Sequence, residues 1–260
     1  MLSPSRVGNF TSSGIVALTT SGKTKGSFGK PAFTYIEKKN KERRLGRRIE
    51  KDFDAKPTSW GNLIEQRAFD QLGLEYTLCS KLTLAHPEIP YWKGTPDAYK
   101  EVEDVLTIAD EKCPYTLDSF CDLVDPYIEE GKIIHPALSI EAVRANHKEG
   151  ETYYWQITSN ACLLEALTGK KVTKGELIVY CPYKSELDAI RDLASSAGES
   201  GANTKWINFA DDEALPHLID GGYYKNINVI KFDIPETDKE FLKSRVLRAG
   251  ELLQNITQAE

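Results

Sequence analysis

Apolar residues recur along this chain with two different periods, and the alternation between them lays out most of its elements. Leu63, Ala68, Phe69 and Leu72 fall on one stripe of a 3.6-residue repeat, so residues 58–73 read as a helix with Thr58 or Ser59 as N-cap and Gly73 at its end. Residues 152–167 give a longer helix, 185–195 another, and a final helix starts at Glu236. Pro31 opens a polar helix that continues toward Lys51. Strand-like runs lie at 75–84, 95–100, 105–112, 176–181, 205–209 and 226–234, and Cys113-Pro114 stops the third of them. Between 118 and 148 the pattern breaks into loop with short helical pieces, as an insertion beside a core would. Interleaved strands and helices predict an α/β fold with a mixed central sheet flanked by helices. At 260 residues the chain fits one domain. It would have a basic helical N-terminal part (1–57), a core (58–195) and C-terminal strands with a helix (196–260).

Composition narrows the classes. Hydrophobic residues make up 40% and aromatics 10%, enough for a packed core and too many for a disordered chain. The apolar segment 14–18 is far too short to span a bilayer, and the start Met1-Leu-Ser-Pro-Ser-Arg6 has no signal-peptide pattern, so a soluble, cytoplasmic protein with no membrane partner is expected. Cys79, Cys113, Cys121, Cys162 and Cys181 form no Cys-x-x-Cys pair, which argues against a zinc ribbon or an iron–sulfur cluster and for reduced, mostly buried thiols. The four histidines show no ligand spacing either, so a bound metal would be a hard cation on oxygen ligands.

A net charge of −6 weighs against nucleic acid only as an average. Lys23, Lys25 and Lys30 lead into residues 37–51, where cations outnumber acids. Alone, such a run is a solvated helix face. Beside a nuclease site, Lys38, Lys39, Arg43, Arg44, Arg47 and Arg48 become candidates for tracking DNA phosphates. Ser21-Gly-Lys-Thr24 ends like a P-loop, but Ala17 stands where that motif needs glycine and no strand precedes it.

Candidate chemistry gathers at residues 65–112. Side chains at i and i+2 of a strand share a face, so Asp110 and Lys112 project together while Glu111 turns away and offers its backbone carbonyl. Gly94-Thr-Pro-Asp97 supplies a partner acid after a turn, and Glu65 reaches the same point from the preceding helix. Carboxylates at a rigid strand edge can hold one or two Mg²⁺ ions for phosphodiester hydrolysis. A D-x-K triplet alone is common and usually an edge ion pair; the order helix-Glu, turn-Pro-Asp, strand-Asp-x-Lys is more demanding.

On these residues the chain resembles the phage-type (YqaJ-like) exonucleases of the PD-(D/E)xK superfamily. The resemblance rests on Trp60-Gly61 with Glu65, Pro96-Asp97, Asp110-Glu-Lys-Cys-Pro-Tyr-Thr116, Tyr154-Trp-Gln156 and Arg6-Val-Gly-Asn-Phe-Thr-Ser-Ser13. It implies a restriction-endonuclease-like core. It also implies metal binding by Asp97, Asp110, the Glu111 carbonyl and Glu65, a site completed by Gln156, and a terminal 5′-phosphate gripped by Arg6 and Ser13. The counterpart of Lys112 orients or deprotonates the attacking water; with an ordinary pKa of about 10.4 it suits orientation better. Implied further are Mg²⁺ (Mn²⁺ as substitute, two ions), double-stranded DNA with a free end as substrate, digestion of one strand 5′ to 3′ without ATP, a single-strand annealing partner and a homotrimer. The chain departs from the pattern in carrying aspartate as second acid and in the length of 125–147, and it matches least after Ala194. Rival readings are a repair or restriction endonuclease and a DNA-binding protein with a relic site; retention of all four core residues opposes the latter.

Overall fold

The computed structural model describes residues 6–49, 55–73, 75–79 and 82–258. Strand β1 (Phe10–Thr11) runs through a 3₁₀ turn into helix α1 (Val16–Thr19). Helix α2 (Lys30–Leu45) has Pro31 in its first turn and stops at Gly46, whose φ of 64° suits glycine in a left-handed C-cap. Helix α3 (Lys56–Leu72) is followed by β2 (Thr77–Leu78), β3 (Leu84–Ala85), β4 (Trp92–Gly94), β5 (Ala98–Val102) and β6 (Val105–Lys112). Then come α4 (Leu117–Val124), the hairpin β7 (Tyr127–Glu129) and β8 (Lys132–His135), α5 (Ile140–Asn146) and α6 (Gly150–Thr168). Strand β9 (Val172–Tyr180), α7 (Leu187–Glu199), β10 (Ile227–Asp233) and α8 (Glu236–Gln258) complete the order.

The central sheet has the order β10-β9-β6-β5-β2, with β6 and β9 parallel and the other neighbours antiparallel. A parallel pair needs a long crossover, and α4 to α6 supply it. Strand β9 is buried on both faces: Leu177 and Val179 join the core under α6 and α8, Ile178 and Tyr180 the core under α3 and α7. Burying such a side chain fully stabilises by about 1.5–3 kcal/mol. Helix α6 lies between the sheet, α8 and the N-terminal segment. Tyr154, Trp155, Ile157, Ala161, Leu163 and Leu164 are buried around most of its circumference, as expected of a core helix. The mixed α/β sheet flanked by helices is the predicted class.

Several local expectations change. Residues 75–84 do not form one strand, because β2 pairs with β5 whereas β3 pairs with β4 in a separate small sheet that also holds β1; residues 80–81 lie outside the described ones. Strand 95–100 starts later, at Ala98, since Thr95–Asp97 carries the chain between the two sheets. Residues 205–209 are a 3₁₀ helix: Ile207 is fully buried while Phe209 is 87% exposed, the opposite of an i, i+2 strand face. Neither Thr58 nor Ser59 caps α3, which begins after Ala55 with Pro57 in its first turn. Helix α2 ends before Arg47 and Arg48, and the close of the basic run at 50–51 lies outside the described residues, as do residues 1–5. The 118–148 segment contains a β-hairpin between α4 and α5. The five thiols are free, but only Cys181 is buried and the others are half-buried.

Candidate active site

The alternation of β6 sets the site. Leu106 and Ile108 face the α6 layer and Ala109 the α3 layer, so Asp110 continues the first face and Glu111 the second. On the α6 face Asp110, 1% exposed, accepts a hydrogen bond from Gln156 Nε2 at 2.6 Å and pairs with Lys112 Nζ. Lys112 Nζ also donates to the Glu111 carbonyl at 3.2 Å. Register places Ala98 opposite Ala109, so Asp97 stands at the start of β5 beside the end of β6, where its Oδ2 accepts from the Glu111 amide at 2.8 Å. Glu65, Asp97, Glu111, Lys112 and Gln156 line one cavity of about 300 Å³ at this sheet edge. The structure thus brings together all five predicted core residues.

Crowded acids dominate the electrostatics. Burial, then the charge of Asp110, pushes Asp97 up to about 8 against the pull of Lys112. Burial and the charges of Glu65 and Asp97 push Glu111 up to about 9. For Lys112, burial acts downward, but Asp110 and Asp97 outweigh it and hold the ammonium charged. A surplus of buried carboxylates fits a hard divalent cation, and one oxygen among them, Glu111 Oε2, is buried without a hydrogen-bond partner. Among the described residues no three Asp, Glu, His or Cys groups close around one point.

Sequence reasoning missed two neighbours. The Glu111 side chain turns away from Asp110 and Lys112 as predicted, but the cavity extends to the α3 face and Glu111 lines it, so the site is not limited to its carbonyl. Tyr153 puts its ring 5.0 Å from Lys112 Nζ and stacks on His147 at 5.3 Å. His147 Nδ1 accepts from the Glu149 amide, which leaves Nε2 as donor to Ser119 Oγ at 2.8 Å. The crossover segment therefore braces the lysine. Its signal was legible: Tyr153 precedes Gln156 by three residues and shares its helix face.

Arg6 and Ser13 also meet, Arg6 Nη2 donating to Ser13 Oγ at 3.2 Å. Burial lowers the Arg6 pKa, and its Nε is buried without a partner. The loop that carries Arg6 is pinned by α2: Glu42 accepts from the Gly8 amide at 3.1 Å and Arg43 Nε donates to the Gly8 carbonyl at 2.7 Å. Ser12 Oγ meets Ser159 Oγ at 2.9 Å, tying this segment to α6 one turn beyond Gln156. The basic run is accordingly not one DNA-facing surface. Lys39 is buried against Glu42 at 2.9 Å and Arg43 holds Gly8, whereas Arg44 and Arg47 are exposed and Lys38 and Arg48 half-exposed.

A mixed sheet of this order with acids at the β5–β6 edge is a restriction-endonuclease-like core. Solved exonuclease structures share the fold. One is an alkaline exonuclease (LHK-Exo) from Laribacter hongkongensis, with a TM-score of 0.55 at 13% identity over 97% of this chain and 91% of that one. The same enzyme in complex with dAMP gives 0.57 at 12% identity over 98% and 92%. A phage-related exonuclease from Haemophilus somnus 129PT gives 0.60 at 14% identity over 97% and 96%. No protein-family model matches the chain, and neither does any curated protein sequence. No described helix is long and apolar enough to cross a membrane.

Proposed function

We propose that this chain is a Mg²⁺-dependent, ATP-independent exonuclease that degrades one strand of linear double-stranded DNA in the 5′ to 3′ direction. The observation that carries the reading is the convergence of Glu65, Asp97, Lys112 and Gln156 on one cavity, with Asp110 bonded to Lys112 and Gln156 beside it, in a fold shared with exonucleases. Asp97, Asp110, Glu65 and the Glu111 carbonyl are the groups suited to hold one or two Mg²⁺ ions, with Mn²⁺ as substitute. Bound there, the metal supplies neutralisation of phosphate charge and a more acidic water. Gln156 fixes the orientation of the Asp110 carboxylate through its amide. Lys112, kept protonated, orients the attacking water and stabilises charge developing on the phosphate. Arg6 and Ser13 grip the terminal 5′-phosphate with charge-assisted donors, which brings the end nucleotide to the cavity. Water oxygen bonds to phosphorus, the bond to the 3′ oxygen breaks, and a 5′-mononucleotide leaves, the class of molecule to which the dAMP bound in LHK-Exo belongs.

In this reading Arg44, Arg47, Arg48 and Lys38 follow the duplex backbone. The enzyme works in the cytoplasm in phage-type recombination, as a homotrimer, and leaves a 3′ tail for an annealing protein. The test is digestion of end-labelled linear duplexes with and without 5′-phosphate, beside a closed circle, in Mg²⁺, in Ca²⁺ and in EDTA. Mg²⁺-dependent loss of the 5′-labelled strand, with preference for the phosphorylated end, is expected. Ca²⁺, with its looser geometry, should support binding more than turnover. Undiminished cleavage in EDTA overturns the chemistry, and ready nicking of the circle favours an endonuclease.

A further inference from the structure

Glu111 occupies a position that the D-x-K pattern does not require to be acidic. Its side chain points into the α3 layer, where its strand neighbour two residues back is Ala109 and the facing side chains include Ile64 and Ile178. An apolar residue is what such a place favours. Instead a carboxylate sits there at 6% exposure. Burying a charged group is unfavourable by several kcal/mol unless something pairs with it.

The described neighbours do not supply that pairing. Lys112 Nζ lies on the other face of β6, engaged with Asp110 and with the Glu111 carbonyl. Glu111 Oε1 accepts from Cys113 Sγ at 3.0 Å, a weak donor, and Oε2 has no partner. The charges that reach Glu111 most strongly are those of Glu65 and Asp97, which share its sign. A proton on Oε2 would remove the charge but leave a buried hydroxyl donor with no acceptor. A divalent cation would remove the mismatch: Glu111 and Glu65 line the same cavity, which at about 300 Å³ has room for a partly hydrated ion.

Resting on the nuclease reading above, we propose that the Glu111 carboxylate is itself a cation ligand and that, with Glu65, it forms a second divalent-cation position on the α3 face of β6. This position is separate from the one that Asp97 and Asp110 offer on the α6 face. Two carboxylates with water and a substrate phosphate make up the shell that Mg²⁺ commonly takes, so no closed cage of side chains is needed. The middle residue of the triplet thus gives the metal site of this chain a carboxylate where the pattern provides only a carbonyl.

Mn²⁺ binding to the full-length protein without DNA, followed by electron paramagnetic resonance and by thermal shift, tests the idea on wild type, Glu111→Gln and Asp110→Asn. Wild type should bind two ions per chain. Loss of an outer-shell partner alone weakens metal sites about 10–100-fold, so loss of a ligand should weaken one of the two by at least about tenfold in each variant. Glu111→Gln should also melt no lower than wild type without metal, since an amide of the same shape replaces a buried carboxyl whose Oε2 has no partner, yet gain less from added Mn²⁺. A merely structural Glu111 would lower the metal-free melting temperature and leave both ions bound. Unchanged stoichiometry and affinity in Glu111→Gln, or a single ion in wild type, overturns the proposal. Cleavage of a linear duplex by the same wild-type preparation separates the two readings. Two ions without cleavage would sink the nuclease assignment alone; cleavage with both ions retained in Glu111→Gln would sink this one alone.

Discussion

Replacing Tyr153 with leucine removes the aromatic face under Lys112 while keeping an apolar side chain of similar reach. The ammonium lies 5.0 Å from the ring centroid, and the Lys112 side chain is only 21% exposed. A cation–π contact contributes about 0.5–1 kcal/mol where exposed and about 2 where desolvated, so roughly 1–2 kcal/mol applies here. If that interaction keeps Lys112 positioned in the transition state, Tyr153→Leu should lower single-turnover cleavage about 5- to 30-fold. Duplex affinity should stay within a factor of about two, because the ring touches the lysine rather than a phosphate site. Tyr153→Phe keeps the ring and should restore most of the rate. Nucleotide release from a 5′-phosphorylated linear duplex at saturating protein gives the rate, and circular dichroism melting controls for folding. A leucine variant as fast as wild type would refute the reasoning, as would a phenylalanine variant as slow as leucine, which would assign the effect to the hydroxyl.

Arg6→Ala should slow digestion of 5′-phosphorylated ends about tenfold to hundredfold, the equivalent of about 1.5–3 kcal/mol for a charge-assisted contact, and shrink the preference over 5′-hydroxyl ends. Arg47→Ala, at an exposed position, should instead weaken all duplexes alike and lower the salt slope of binding. Gly94→Ala would put a methyl 2.2 Å from Ser12 Oγ and 2.3 Å from Asn160 Oδ1, so urea denaturation should report a loss of about 1–3 kcal/mol or more. Burial alone would raise Glu186, but the Tyr183 amide, the Tyr180 hydroxyl and the Asn226 and Gln71 amides donate to its carboxylate and hold it below the ordinary range. A depressed folded-state pKa stabilises above the unfolded value and is lost as pH falls through the folded one. Thermal melts should therefore show wild type losing more stability than Glu186→Gln between about pH 5 and about pH 3.

The parts of this molecule legible in its sequence are those set by local period. Strand β6 ran to the predicted residues because a continuous run rich in β-branched and apolar residues ends at Cys113-Pro114, and that strand fixed which side Asp110, Glu111 and Lys112 face. Helices α3 and α6 followed from their apolar repeats, though α6 is apolar on more than one face and gave away less about its neighbours. Short strands such as β1 and β4 were invisible, because two or three residues carry no period and their pairing is with distant chain. The false strand at 205–209 is a short run rich in aromatic and β-branched residues, but Trp206 and Ile207 are drawn onto α3 and α7, and the Trp206 indole donates to Ser59 at 3.1 Å. The inward turns of Lys39 and Arg43 were equally hidden: a run of cations reads as a surface until Glu42 and Gly8 are seen beside it. The site itself was readable as a list of residues. That the cavity reaches both faces of β6, and so includes Glu111, required the position of α3.

Asp110→Asn tests the central claim most directly, since it keeps the shape of a side chain bound to Gln156 and Lys112 and removes only its charge. Purified wild type and variant would be compared on a 5′-phosphorylated linear duplex in Mg²⁺, with DNA affinity measured in parallel. The account predicts that cleavage is lost to the EDTA background while duplex binding is equal or tighter, because fewer negative charges face the phosphates. Cleavage by the variant at near the wild-type rate would mean that the convergence of Asp110, Lys112 and Gln156 is an ion pair at a strand edge and not an active site.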